Sequence, residues 1–396
     1  MSSLDVKSFL EHEVKAVREE LGREKALIAV SGGVDSTVSA VITYKAVGAN
    51  LVCVFVDDNF MRYLEPEKVR QTLSSPPLNI PVKILDCRER FMSAIDGLSD
   101  AEEKRRAFRE TFYKVLGETA KAEGCNYLIQ GTIKADIIET QSRIKTQHNV
   151  LEQIGIDPFK KFGLKIVEPL KTLYKHQVRE VARFLGIPNE VSERQPFPGP
   201  GLLIRVVGLM TEEKLEEIKQ VTRIAEENFE ECQADQYFAA IFSGEADDAS
   251  EIVKRAVADT LAVEDASIRA IVLHERGTGT KDGKRVYGEI LAVEAVDKNG
   301  IPLDLSYSKL EEMRIKVQEA SPKITRILYL LDRKKSTGYI IALRAIKTRD
   351  FITANVAEIP LMVLKETSQR ITKERPNVAA VYLDATPKPP GTIEFE

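Results

Sequence analysis

Apolar positions in the first half of the chain follow two alternating rhythms. Between residues 5 and 22, Val6, Phe9, Leu10, Val14, Val17 and Leu21 recur near every 3.6 residues, which predicts an amphipathic helix packed against the edge of a sheet. Leu27 to Val30 is then an unbroken apolar run, followed by Ser-Gly-Gly and by Asp35 and Ser36 leading into small and β-branched residues at helical spacing. That pattern reads as a buried strand, a tight turn and a helix start. Further apolar runs at 51–56, 82–85 and 127–130, and a shorter one at 164–170, are separated by helical patterns. Apolar strands alternating with helices predict the α/β class with a doubly wound parallel sheet, whose ligands bind beyond the carboxyl ends of the strands. Val56 and Asp57, Asp86, and Gln130-Gly131-Thr132 stand at those ends.

The rhythm breaks over 133–162, where charges, amides and an imidazole mix without a clean period, as in a long lid over a site. A helix from Lys175 is stopped by Gly186 and Pro188, and residues 196–201, Pro-Phe-Pro-Gly-Pro-Gly, then form a rigid loop flanked by Arg194 and Arg205, an arrangement that can present amides and guanidinium groups to an anion. A first domain over 1–208 and a second, α+β, over 209–396 follow from this reading. From Thr211 a helix of about twenty residues leads to a strand at Tyr237–Phe242, and the acidic, Ala-rich stretch 243–270 has no assigned role. Beyond it the pattern repeats. Tyr287, Pro322 and Tyr329 match Tyr339, Pro376 and Tyr382 at offsets of 52 to 54 residues, so 271–331 and 332–384 are two strand-helix-strand copies. Two such copies in one chain can pair with each other as a pseudo-symmetric module, which points to a monomer containing an intramolecular pseudo-dimer, or to a dimer formed through another surface. The Pro-rich tail, 385–396, offers Lys388 and Thr392 to an anion.

Composition narrows the class. A chain of 396 residues with 43% hydrophobic and 30% charged residues has room for two or three domains. No apolar run is long enough to cross a bilayer, and the first helix is charged throughout, unlike a signal peptide, so the expected location is the cytoplasm. The four cysteines fall in no metal-type spacing and read as reduced thiols. A net charge of −4 argues against nucleic acid as a partner. Lys104-Arg105-Arg106 sits in a Glu-rich helical run and reads as a solvated face.

The chemistry centres on residues 31–37. Gly32 and Gly33 can take backbone angles closed to other residues, so successive N–H groups, with that of Val34, can converge on a phosphate at the positive end of the following helix. The P-loop pattern does not fit, because no Lys follows the second Gly and Asp35 stands there instead. A carboxylate beside phosphates fits a Mg²⁺ ligand, with Ser31, Ser36, Thr37 and the turn amides holding the phosphate oxygens.

Ser31 to Ser36 resembles the PP-loop of the ATP pyrophosphatases. With it, Gln130-Gly131-Thr132, the stretch from Ile144 to Val150, the run from Arg194 to Leu202 and the tail from Lys388 to Glu396 resemble the GMP synthases over nearly the whole chain. The Pro-Phe-Pro-Gly-Pro-Gly loop and the tail are the most specific of these stretches. The glutaminase domain that many such enzymes carry at the N-terminus is absent, as in the archaeal form with a separate glutaminase subunit. The resemblance implies that XMP is adenylated by ATP at its 2-oxygen and that ammonia then displaces AMP. It assigns pyrophosphate and Mg²⁺ to Ser31–Thr37, with Asp35 as metal ligand, and adenine to Val56 and Gly131. Lys145 and His148 would act as catalytic residues in the lid, with Asn149 beside them. XMP would be held by Pro198, Gly199, Pro200, Arg285, Lys388, Thr392, Ile393 and Glu394. Two departures stand out: Gln147 precedes His148 where the family often has a second histidine, and the C-terminal unit is present twice. Another PP-loop adenylating enzyme and a non-catalytic nucleotide sensor are the alternative readings.

Overall fold

A computed structural model describes residues 4–141, 163–262, 267–281, 283–348 and 352–396. The chain divides into two compact units, one made of residues up to Ala94 and Arg106–Gly199, the other of Ile95–Arg105 and Pro200–Glu396.

In chain order the first part contains α1 (Val6–Leu21), β1 (Lys25–Ala29), α2 (Val34–Val47), β2 (Leu51–Asp57), α3 (Glu65–Ser74), β3 (Val82–Asp86), α4 (Arg88–Ile95) and α5 (Ala101–Glu123). It continues with β4 (Cys125–Ile129), α6 (Lys134–Gln141), β5 (Lys165–Val167), α7 (Lys175–Phe184) and the single turn α8 (Asn189–Ser192). The five strands pair in the order β3-β2-β1-β4-β5, all parallel. Strand order therefore reverses between β1 and β4, and the crevice beyond their carboxyl ends is where a doubly wound sheet binds ligands. α1 does not cover the sheet edge. It packs on α2 and α7, because α2 is apolar nearly all round and its outer side, with Val38, Val41, Ile42 and Ala46 buried, needs a cover that Leu10, Val17 and Leu21 supply. The expected irregular lid begins instead as a helix, α6, whose Asp136 Oδ2 accepts from the Ile133 N–H at 2.9 Å. The rest of that lid lies outside the described residues.

The second unit holds α9 (Glu212–Phe229), β6 (Gln236–Phe242), β7 (Ala246–Asp248), α10 (Glu251–Leu261), β8 (Ser267–Lys281), β9 (Lys284–Val296), α11 (Tyr307–Ala320), β10 (Ile324–Arg333), β11 (Tyr339–Lys347), β12 (Asn355–Val356), α12 (Leu361–Glu374) and β13 (Val378–Asp384). Its sheet runs β12-β11-β13-β10-β9-β8-β7, with β6 antiparallel on β11. β9 and β10 are a parallel pair linked through α11, β11 and β13 a parallel pair linked through α12, and the two pairs meet where β10 runs antiparallel to β13. There Tyr329 lies opposite Leu383 and Leu330 opposite Tyr382, so equivalent residues of the two copies straddle a local two-fold axis. The stretch 243–270 supplies the short edge strand β7 and the helix α10, and β7 carries Asp247 and Asp248, charges of the kind that blunt a sheet edge.

The Lys104-Arg105 face is not solvated. Lys104 is fully buried, donates to Val206 O at 2.8 Å and Gly208 O at 2.9 Å, and forms an ion pair with buried Glu396, while Arg105 donates to Glu396 O. A helical charge run is solvated only on the side that faces water, and here the tail covers it. Burial pushes the Glu396 carboxyl up to about 7 against the pull of Lys104, and burial likewise lowers Lys104. Removing Lys104 strands a buried carboxylate, which costs about 3–5 kcal/mol. The penalty has a pH sign: a carboxyl raised in the folded state favours folding below its unfolded pKa and loses that contribution as pH rises through the folded value. Lys104→Met is therefore expected to lower stability by about that amount at pH 8 and by clearly less at pH 5, with Glu396→Gln added to it restoring most of the loss. Chemical denaturation at the two pH values measures it.

Candidate active site

A cleft of about 450 Å³ opens in the first unit at the carboxyl ends of β1, β2 and β4, large enough for a nucleotide-sized ligand. Its floor is the turn between β1 and α2. Gly32 has φ +78°, and a Cβ there would lie 2.6 Å from Glu65 Oε1 and 2.7 Å from Val69 Cγ2, so only glycine lets α3 pack under the turn. Gly131, at the end of β4, packs as tightly: its Cβ would meet Ser36 N at 2.9 Å and the Asp35 carbonyl carbon at 3.0 Å. The first turn of α2 is thus clamped from two sides with its N–H groups toward the cleft wall formed by Ser31 to Ser36.

The hydroxyls of the turn are arranged inward. Ser36 Oγ donates to Gly33 O at 3.1 Å and accepts from Ser31 N at 3.2 Å, and Thr37 Oγ1 donates to Gly33 O at 2.9 Å. Thr37 is buried and off the cleft lining, so of the residues Ser31 to Thr37 it supports the turn from beneath. Asp35 lines the cleft with its carboxylate divided: Oδ2 accepts from Lys175 Nζ at 2.6 Å, and Oδ1 is buried with no hydrogen-bond partner. A buried carboxylate oxygen without a donor is costly, and a cation at that oxygen removes the cost. One carboxylate beside phosphate oxygens is the usual protein contribution to Mg²⁺, and among the described residues no group of three or more His, Cys, Asp and Glu forms a metal cage.

Val56, Gln130 and Gly131 lie on the cleft wall with Asp58, Arg62, Asp136 and Lys175. Asp57 and Asp86 do not. Both face Arg88, whose bonds of 2.9 and 2.6 Å to Asp86 hold that carboxyl down to about 2. The proline loop closes another side: Pro198 and Gly199 line the cleft, the Arg62 guanidinium sits 4.0 Å above the Phe197 ring, and Arg194 grips buried Glu65 with a two-pronged pair whose second bond is 2.7 Å. Lys145, His148 and Asn149 lie outside the described residues. Glu65, Asp136 and Lys175 escaped the sequence reading. Their signal was positional, because each sits in the first turn of a helix that follows a strand end, a place that sequence marks only as a cap.

Pro200 opens the second unit, where the remaining predicted residues lie. Tail residues 390–395 run beside β8: Thr280 N donates to Pro390 O at 2.7 Å and Thr278 N to Phe395 O at 2.8 Å. Thr280 is the register partner of Arg285 on β9, which brings the hairpin and the tail together. Two fully buried arginines hold the tail. Arg326 and Arg344 share Asp384 Oδ2 at 3.0 and 2.7 Å. Arg344 also donates to the carbonyls of Thr386, Thr392 and Ile393, and Arg326 to those of Thr278 and Glu394 and to Thr392 Oγ1. Burial, then the nearness of Arg344, lowers Arg326 to about 9. Ile393 packs on the core and its carbonyl is taken by Arg344. The Glu394 carboxylate is taken by Arg205, at 3.1 and 3.0 Å, and by Gln236 at 3.3 Å. Lys388 exchanges backbone hydrogen bonds with Ala354, of 2.7 and 3.0 Å. Arg285 Nη1 donates to Glu102 at 2.8 Å.

Known proteins carry the same two blocks. The family described as a PP-loop domain matches residues 6–191, and the family described as GMP synthase C terminal domain matches residues 330–395, which contain β11 to β13 and the tail. The chain is 43% identical over 392 residues to a subunit of the glutamine-hydrolyzing GMP synthase of Saccharolobus solfataricus, covering 99% of this chain and 100% of the relative. To the protein of the same name from Sulfurisphaera tokodaii it is 41% identical over 395 residues, covering all of both chains. Among solved structures it is similar to an NH3-dependent NAD synthetase from Campylobacter jejuni, with a TM-score of 0.38 and 16% identity over 48% of this chain and 78% of that one.

The clamp on the turn makes a prediction of its own. Gly131→Ala overpacks the contact with Ser36 N and is expected to cost about 1–3 kcal/mol. Gly33→Ala, whose Cβ meets only Ser31 Oγ at 3.4 Å, serves as the tolerated control. Urea unfolding of the two variants, side by side, measures the difference.

Proposed function

This chain belongs to the GMP synthase family, among the synthetase subunits of the glutamine-hydrolyzing enzyme, and on that premise we propose how its residues carry the ATP-dependent amination of XMP to GMP, with ammonia supplied by a separate glutaminase. The observation that carries the reading is Asp35: one carboxylate oxygen on Lys175, the other buried and unpartnered, at the positive end of α2. The turn amides of Gly32 to Ser36 hold the pyrophosphate part of ATP, where the helix end and the converging N–H groups favour negative charge. Lys175 keeps its ammonium beside the same oxygens and offsets charge as the leaving group forms. Mg²⁺, when bound at Asp35 Oδ1, supplies charge neutralisation of the departing pyrophosphate. Val56 and Gly131, at the ends of β2 and β4, flank the adenine.

The 2-oxygen of XMP is a poor leaving group until it attacks the α-phosphorus of ATP, expelling pyrophosphate. Ammonia then adds at C2 and AMP departs. For Lys145 and His148 the proposed roles are catalytic ones in these two steps. For XMP the proposed contacts are Pro198 and Gly199 in the first unit, and Pro200, Arg285 and Lys388 in the second. Thr392, Ile393 and Glu394 act on XMP through the tail, since their polar groups are engaged by Arg326, Arg344 and Arg205. The antiparallel meeting of β10 and β13 within one chain supports a monomer as the working state, with Arg285 and Lys388 serving one XMP in cis. The cytoplasm, where free nucleotides and a glutaminase partner meet, is the proposed place of action.

Two tests address this reading. Pyrophosphate release by the purified chain should require ATP, XMP and Mg²⁺, and GMP should form with ammonium and not with glutamine alone. Asp35→Asn and Lys175→Met should each lower the XMP-dependent positional isotope exchange of ATP by about 10²–10³-fold while leaving the circular dichroism spectrum unchanged. Near-normal exchange in either variant removes that residue from the site. The second test concerns the cis arrangement: mixing Arg285→Ala chains with Lys388→Ala chains should restore no activity, and substantial recovery would place the two residues in different copies of the chain.

A further inference from the structure

Glu102 occupies a place built for a stronger anion. It sits in the first turn of α5, and its Oε1 accepts from Arg285 Nη1 at 2.8 Å and from Tyr287 OH at 2.9 Å. Arg285 and Tyr287 are two residues apart on β9, so both side chains leave the same face of the strand and converge on that one oxygen. Arg105, one helical turn after Glu102, adds a second guanidinium to the same neighbourhood, and after burial the repulsion from Arg285 is what lowers it most. A guanidinium and a phenol thus converge on one carboxylate oxygen, with the Arg105 guanidinium, itself bound to Glu396 O, close by. The pair contributes little to stability, because the Arg285 and Glu102 side chains are 46% and 56% exposed. A donor set richer than its acceptor, open to solvent, is suited to exchanging one anion for another. The tail passes beside it, since Thr280, the register partner of Arg285, binds Pro390 O.

We propose that Glu102 is a resident anion in the phosphate seat of the nucleotide, holding Arg285 and Tyr287 until the XMP phosphate displaces it. This rests on the placement of XMP at Arg285 argued above. A phosphate dianion offers up to three acceptor oxygens where Glu102 offers two, and it brings a charge nearer two than one to Arg285. It cannot share the seat with a carboxylate, because like charges at contact distance repel. Glu102 therefore swings into solvent when the nucleotide binds, at small cost given its exposure, and its return helps expel GMP. It sets nucleotide affinity by competition and touches no reacting atom.

The test compares wild type, Glu102→Gln and Glu102→Ala. Calorimetric titration should show XMP and GMP binding both variants about two- to five-fold more tightly than wild type, the range an exposed ion pair commands. The KM for XMP should fall by the same factor and the KM for ATP should not change. Xanthosine, which lacks the phosphate, should bind all three proteins alike. Weaker XMP binding in the variants would mean that Glu102 holds Arg285 in position for the nucleotide and would overturn the proposal, as would an equal shift for xanthosine and XMP. Should wild type bind no XMP, the functional reading fails first, and inorganic phosphate then decides the seat separately. Tighter phosphate binding in Glu102→Gln keeps the exchange, and unchanged phosphate binding removes it.

Discussion

Two arginines with no solvent exposure share one carboxylate beneath the C-terminal tail, and the second unit is arranged around that imbalance. Asp384 neutralises one of Arg326 and Arg344 but not both, so the remaining charge is spread over the carbonyls of Thr278, Thr386, Thr392, Ile393 and Glu394. Buried ions are tolerated only when their hydrogen-bonding capacity is filled. Filling it requires the tail to lie along β8, which turns a Pro-rich segment that would fray into a fixed wall. Phe395 is fully buried and stands edge-on to Phe242, and Glu394 and Glu396 close on Arg205 and Lys104. On the proposed reading, the excess of buried positive charge around the tail also draws a nucleotide phosphate to this region.

The first unit solves a different problem, the close approach of backbone to backbone. Gly32 and Gly131 are needed because α3 and the end of β4 press on the turn at distances no side chain allows. That compression leaves the N–H groups at the start of α2 as the available donors and sets Asp35 beside Lys175, so the charged chemistry rests on a steric device. Cooperation between α2 and its neighbours goes further back: α2 is apolar on nearly every side, and α1 and α7 cover what the sheet does not.

Duplication joins the tail and the hairpin into one polypeptide. The two copies meet through β10 and β13 around a local axis, yet they have diverged at their functional ends. The first copy keeps the long β8–β9 hairpin with Arg285 and Tyr287, while the second leads into the tail, and the GMP synthase C terminal domain family matches only the second. An internal pairing needs no association step, and on the proposed reading each copy supplies a different half of the nucleotide site.

The parallel sheet, the turn with Asp35, the rigid proline loop and the repeat were legible in the sequence, because each depends on local pattern: apolar runs, glycine and proline at fixed places, and self-similarity at an offset near 53 residues. The packing of α1 was misread because periodicity reports that a helix has an apolar face but not what covers it. Lys104 and Arg105 were misread as a solvated face for the same reason. Lys175, Glu65, Arg326 and Arg344 could not be singled out at all, since a basic or acidic residue acquires its role from the partner that folding brings to it from far along the chain, 140 residues away for Asp35 and Lys175. The sequence by itself determined which backbone shapes and which chemistry were available. Tertiary structure alone decided which charges are buried together, because desolvation and pairing are properties of three-dimensional neighbours, not of order along the chain.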